Sequence, residues 1–267
     1  MSAHPWIHTA SRLCCRPWAA AWLAMALPCG VAPSAAAAAD IGGTYLTWQA
    51  CPGDPKAATG AGFDCIADAG VVYTLVGTFS LDTDVKNAVS LDADLNVAFA
   101  GAAAVPSFWQ IDLGGCNASA FSLLKGMPSG CAGHLNAFCG GDSNLCDLVY
   151  TTSVFPSTNL MRMSLTLGRA ALHSVNLAGG QRYFAFAVSI PMYGASSCLG
   201  CAAPCAIGFS HATIYSVDDL GRPMPPVTVS SSYPGASACA TANGGTSECA
   251  TVPVRRTTWG RLQSLYR

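Results

Sequence analysis

The middle of this chain is written in period two. In "AVSLDADLNVAF" the residues Val89, Leu91, Ala93, Leu95, Val97 and Phe99 fall on one side, and Ser90, Asp92, Asp94 and Asn96 on the other. That is the alternation of a strand with one face in a core and one in water. "VVYTLVGTFSL" sets Val71, Tyr73, Leu75, Gly77, Phe79 and Leu81 against Thr74, Thr78 and Ser80, and "LMRMSLTL" sets Met161, Met163, Leu165 and Leu167 against Arg162, Ser164 and Thr166. After an "AGGQ" turn, "RYFAFAVSI" puts Phe184, Phe186, Val188 and Ile190 on one face. Shorter stretches read as further strands: "TYLTW", "SFWQIDL" around Trp109, "LVYTTSVF" from Leu148, "IGFSHATIYSV" from Ile207 and "VTVSS" from Val227. Short strands, turn-rich joints and almost no helical periodicity predict an all-β fold, an antiparallel sandwich or barrel.

The first forty residues follow another rule. No acid precedes Asp40, Arg12 and Arg16 lie early, and "AAAWLAMALPCGVA" runs into the small residues of "SAAAAAD". Positive segment, apolar segment and small-residue cleavage run together predict a secretory signal peptide over 1–39, cut after Ala39 to within two residues. The apolar run falls short of the ~20 residues a bilayer span needs, and no later stretch is a better candidate, so no transmembrane span is expected. Residues 40–252 then form one β-sandwich domain with a cysteine-rich insertion near 116–147, followed by a short tail, 253–267.

Composition narrows the functional classes. Hydrophobic residues make up 51% and charged ones 10%, with the apolar residues cut into short runs, which suits buried strands joined by small polar loops. Of thirteen Lys and Arg, Arg12 and Arg16 leave with the signal peptide, so eleven face fourteen acids. A slightly acidic protein offers no basic field for nucleic acid. Beyond Ala39 the chain holds one glutamate, Glu248, and three histidines, His134, His173 and His211, which supplies general acid and base catalysis poorly. Asp92 and Asp94 alternate with an apolar face and read as solvent-facing positions of a strand. No cofactor is expected.

Cleavage also removes Cys14, Cys15 and Cys29, leaving eleven cysteines. An exported chain meets oxidising conditions, so these are expected to bridge, and the odd number leaves one thiol over. Spacing suggests short loops closed by Cys51 with Cys65, Cys116 with Cys131, Cys139 with Cys146 and Cys239 with Cys249, and then Cys198 with Cys205. The cluster "CLGCAAPC" has another reading: Cys198, Cys201, Cys205 and His211 are a chemically sound zinc set. Compartment and total cysteine count favour the staple.

Three further motifs invite chemistry. Gly141, Asp142 and Ser143 spell the start of a hydrolase signature, but its α/β setting is not predicted here, and Asp142, Asn144 and Asp147 are too few carboxylates for a calcium loop. Trp48 and Trp109 would make a sugar-stacking platform if exposed. Each lies beside a glutamine in an apolar stretch, which favours core packing.

Taken together, "WQAC", "YTLVGTFSL", "PSFWQID..GC", "AGGQRYFAF" and "CLGCAAPCAIGF" resemble an uncharacterised family of exported cysteine-containing β-sandwich proteins of environmental bacteria. The order of a strand pair, "GQ.Y.F.V" and a late strand ending in "DLGRP" is similar to cohesin-like jelly-roll domains, which implies a jelly-roll-like sandwich. The tail "VRRTTWGRLQSLYR" places Trp259, Leu262 and Tyr266 on one face of a short amphipathic helix, flanked by Arg261 and Arg267. It resembles an ending shared by otherwise different exported bacterial proteins. Two roles stay open for it: docking on the sandwich, or a sorting address. The expectation is therefore a secreted or cell-surface, non-enzymatic binding or structural module with a protein or polysaccharide partner. The alternatives are an extracellular hydrolase with a loop-built site and a carbohydrate-binding module.

Overall fold

The longest alternating run becomes the longest strand, Val85–Phe99, at the centre of one of two sheets. The computed structural model describes residues 42–245, less 67, 69, 113, 119, 137, 140–145, 155–157, 170–172, 193–197 and 231–237. Among these the strands in chain order are β1 Gly43–Trp48, β2 Gly60–Ala61, β3 Val72–Ser80, β4 Val85–Phe99, β5 Ser122–Leu124, β6 Leu135–Asn136, β7 Asp147–Val154, β8 Leu160–Gly168, β9 Val175–Leu177, β10 Arg182–Pro191, β11 Cys205–Ser216, β12 Val227–Ser230 and β13 Cys239–Ala242. The first sheet runs β1-β3-β10-β5, with β6 also on β10. The second runs β2-β13-β11-β4-β8-β7, with β12 on β11 and β9 on β4. Pairing is antiparallel except for the two-residue contacts of β6 with β10 and of β2 with β13. The chain is an all-β, disulfide-bonded antiparallel sandwich.

One core fills the space between the sheets. Leu75, Phe79 and Phe186 of the first sheet meet Leu91, Leu95, Leu165, Phe209 and Ile214 of the second, and the rings of Phe186 and Phe209 touch at 5.2 Å. Gly77 is the position that admits Phe186: a Cβ there would lie 2.2 Å from the ring. Two bonds lace the sheets together beside β1. Thr44 Oγ1 donates to Phe209 O at 3.0 Å, and the Trp48 indole donates to Thr241 O at 2.8 Å.

The alternation holds strand by strand, but β-bulges shift its phase, and a further irregularity between Val85 and Ala88 breaks the register of β4 with β9. In β10 the register slips at Ala185. Phe186, Val188 and Ile190 point into the main core as expected, whereas Phe184 joins a second cluster on the other side with Cys51, Val76, Cys131 and Ala187. In β4 and β11 the slip falls at Val89, which is half-buried and belongs to neither cluster. In β11 it falls at Ser210.

The second cluster corrects the prediction for β3. Thr78 and Ser80, expected at a watery face, are fully buried, as is Val76 on the same side, because the loops carrying Cys51 and Cys131 fold over the outer face of the first sheet and are bridged there. "SFWQIDL" is a second correction. It forms a 3-10 turn, Ser107–Trp109, instead of a strand, since Pro106 starts a turn closed by the Trp109 N–H on its carbonyl.

Candidate functional site

Among the described residues the outer face of the second sheet is left uncovered, and its side chains form a grid set by strand register. One row runs Thr228, Thr213, Asp92, Thr166 and Val149 across β12, β11, β4, β8 and β7. The next runs Ser230, His211, Asp94, Ser164 and Thr151, followed by Asn96, Arg162 and Ser153. On the other side lie Tyr215 and Ser90.

Asp94 anchors this grid. Its carboxylate accepts hydrogen bonds from Arg162 Nε at 3.2 Å, from Arg162 Nη2, from Ser164 Oγ and from His211 Nε2 at 3.0 Å. The bulge at Ser210 brings His211 opposite Asp94, and the Ser210 hydroxyl donates to Asp94 O at 3.0 Å. Burial opposes the charge on Asp94, but the bonds from His211, Arg162 and Ser164 outweigh it and hold the carboxyl well below the usual carboxylate range. One row away, Thr166 Oγ1 donates to Asp92 at 2.7 Å. The Tyr215 hydroxyl also bonds Asp92, and burial followed by the charge of Asp92 raises its pKa. The alternation puts both Asp92 and Asp94 at solvent-facing positions; Asp94 is on that side of the strand but only 8% exposed, because Arg162, Ser164 and His211 close over its carboxylate, a network the alternation does not reveal. Its sequence signal is Arg162 and Ser164 on the polar side of β8, but which acid they meet depends on register.

The interior offers no competing site among the described residues. The gap among Leu75, Leu95, Trp109, Phe121, Met163 and Ile207 barely has room for one water. Trp48 and Trp109 line the core at 1% exposure, so neither can stack on a sugar, and a platform built from them is ruled out. The Trp109 indole N–H has no partner among the described residues.

"CLGCAAPC" is a staple of longer reach than its spacing suggested. Cys198 bridges Cys116, and Cys201 bridges Cys65. Cys51 bridges Cys131 across 80 residues, while Cys139 and Cys146 close the short loop between them. The expected pairs Cys51–Cys65, Cys116–Cys131 and Cys198–Cys205 are thereby corrected, because the sandwich brings together loops that are distant in sequence. Cys239 is also disulfide-bonded, and Cys249 lies outside the described residues. Cys205 is a buried free thiol, pushed up to about 12 by burial. The four residues of the zinc alternative are therefore not assembled. Two sulfurs are spent in bridges, Cys205 is in the core and His211 is on Asp94.

Asp142, Ser143 and Asn144 lie outside the described residues, as do Trp259, Leu262, Tyr266 and Arg267 with the rest of the tail and the segment 1–39. Among the described residues no helix is long and apolar enough to cross a membrane.

No family model matches this chain, and no curated protein matches it. Among solved structures it is similar to the second type II cohesin module from the cellulosomal adaptor ScaA scaffoldin of Acetivibrio cellulolyticus, at 9% identity and a TM-score of 0.28, over 72% of this chain and 98% of that one. The sandwich assignment rests on the strand pairing above and not on that likeness.

Proposed function

We propose that this protein is an exported, disulfide-stapled β-sandwich that works by binding through an open surface, at the cell surface or outside the cell, and not by catalysis in a cleft. The observation that carries this reading is the Asp94 network. The Asp94 carboxylate, on the outer side of the second sheet, ties together side chains of the strands on either side of it, Arg162 and Ser164 of β8 and His211 of β11, and so fixes the centre of that face. Four bridges suit an oxidising compartment, and the signal-like segment 1–39 supplies the route there.

The test has two parts. Expressed with residues 1–39 in an exporting bacterium, the protein should leave the cytoplasm with a new N-terminus within two residues of Asp40. On the producing cells, Thr166→Lys, which adds a long charged chain to the grid, should lose surface retention without a change in Tm. Cytoplasmic protein with 1–39 intact would overturn export. Hydrolytic activity abolished by Ser143→Ala would overturn the non-enzymatic reading.

A further inference from the structure

We infer that the outer face of the second sheet binds a neutral polysaccharide chain; this rests on the reading of that face as the working surface. The first ground is shape. A small ligand needs a concave site that covers most of its area, and this face is a sheet surface of five strands, about 19 Å across at ~4.8 Å per strand. A ligand held here must therefore be long and spread its contacts over several rows.

The second ground is chemistry. The grid around Asp92 and Asp94 is built from short hydroxyl side chains on four strands, among them Thr228, Thr213, Thr166, Ser164, Thr151 and Ser153. Such side chains lose little rotamer freedom on binding. Arg162, the long charged side chain among them, is already pinned to Asp94. A preorganised array of hydroxyl, carboxylate, imidazole and guanidinium groups matches a ligand that offers many hydroxyls. Tyr215, 39% exposed at the margin with its hydroxyl on Asp92, adds a ring on which one sugar face can rest.

The third ground is charge and polarity. Asp92 and Asp94 outnumber Arg162 on the face, which disfavours a polyanion. Protein interfaces centre on clustered aromatic and aliphatic anchors and are depleted in Ser and Asp, whereas here the exposed large apolar side chains, Val149, Leu160 and Tyr215, stand apart on three different strands and in three different rows. The surface is therefore the wrong composition for a protein partner and the right one for a hydroxyl-rich neutral polymer. The stacking residue is Tyr215, since Trp48 and Trp109 are both internal.

Affinity electrophoresis of the exported protein through native gels containing hydroxyethylcellulose, xylan, glucomannan or dextran, with polygalacturonate as the anionic counterpart, tests this. At least one neutral polymer should retard it, and Tyr215→Ala and Thr166→Lys should each raise the apparent Kd at least tenfold with Tm unchanged. Retardation by polygalacturonate alone, by no polymer, or undiminished in both variants would overturn the inference. Suppose instead that Thr166→Lys loses retention on cells, retention is abolished by protease and not by periodate, and the gels stay silent. The face would then be a protein-binding one: the working-surface reading would survive and the polysaccharide would not. If the variant changes neither retention nor mobility, both fall.

Discussion

Asp94 shows how one side chain can be expensive alone and stabilising in company. Its folded pKa is depressed, so the unfolded chain binds the proton more readily. The contribution is fully present above the ordinary carboxylate pKa of about 3.9 and is lost as pH falls toward the folded value. Asp94→Ala should therefore cost about 2 kcal/mol at neutral pH, the scale of hydrogen bonds to a charged group. Asp94→Asn should lose part of that, with the gap to the parent protein narrowing as urea titrations are repeated below pH 4. A gap that widens in acid would contradict the network.

Gly77 and Cys205 carry the two other residue-scale expectations. Gly77→Ala puts a methyl group where the Phe186 ring sits, and overpacking of that kind costs about 1 to 3 kcal/mol, measurable as a fall in the urea midpoint at unchanged slope. Cys205 is fully buried, with its thiol pKa raised to about 12, and a buried neutral thiol is a poor nucleophile. The native exported protein should be inert to iodoacetamide and should take up label at Cys205 once guanidinium is added without reductant. Rapid native labelling would place that thiol elsewhere.

At the scale of elements, bulges decide which face a residue serves. The slip at Ala185 sends Phe184 outward and Phe186 inward, and the slip at Ser210 brings His211 to Asp94. Neither is visible in the alternation, because an extra residue in one strand is defined only against its partner strand. The cover on the first sheet is likewise an element-scale feature: Val76, Thr78, Phe184 and Ala187 are buried because the Cys51–Cys131 bridge pins two loops over them. Closing a loop of that length is worth about 4 to 5 kcal/mol on the chain-entropy scale, against about 2 to 2.5 for the short Cys139–Cys146 loop. The Cys51→Ser/Cys131→Ser pair should accordingly lower Tm clearly more than Cys139→Ser/Cys146→Ser. Equal losses would mean that the bridge over the sheet adds nothing beyond local closure.

At the scale of the molecule, the bridges join loops that belong to different strands: Cys65 and Cys116 are tied to Cys201 and Cys198 in the segment before β11. Non-reducing peptide mapping of the exported protein should recover these long-range pairs together with Cys51–Cys131, and recovery of mainly neighbouring pairs would refute the arrangement. Reduction should then destabilise the whole sandwich cooperatively, since each of these three bridges spans more than one element.

The alternation of apolar and polar residues is enough to give an all-β fold, the core residues of β8 and, Val89 apart, those of β4, and the placing of Asp92 and Asp94 on the other side. Period two is a local property of an extended backbone and needs no knowledge of neighbours. The convergence of Arg162, Ser164 and His211 on Asp94, the cover over the outer face of the first sheet and the three different fates of Cys198, Cys201 and Cys205 arise from strand pairing. Those outcomes depend on strand order, register and bulges, which bring together residues tens to more than a hundred positions apart. The physical reason is that contact across a sheet is set by which strands pair, and no spacing along one strand encodes that.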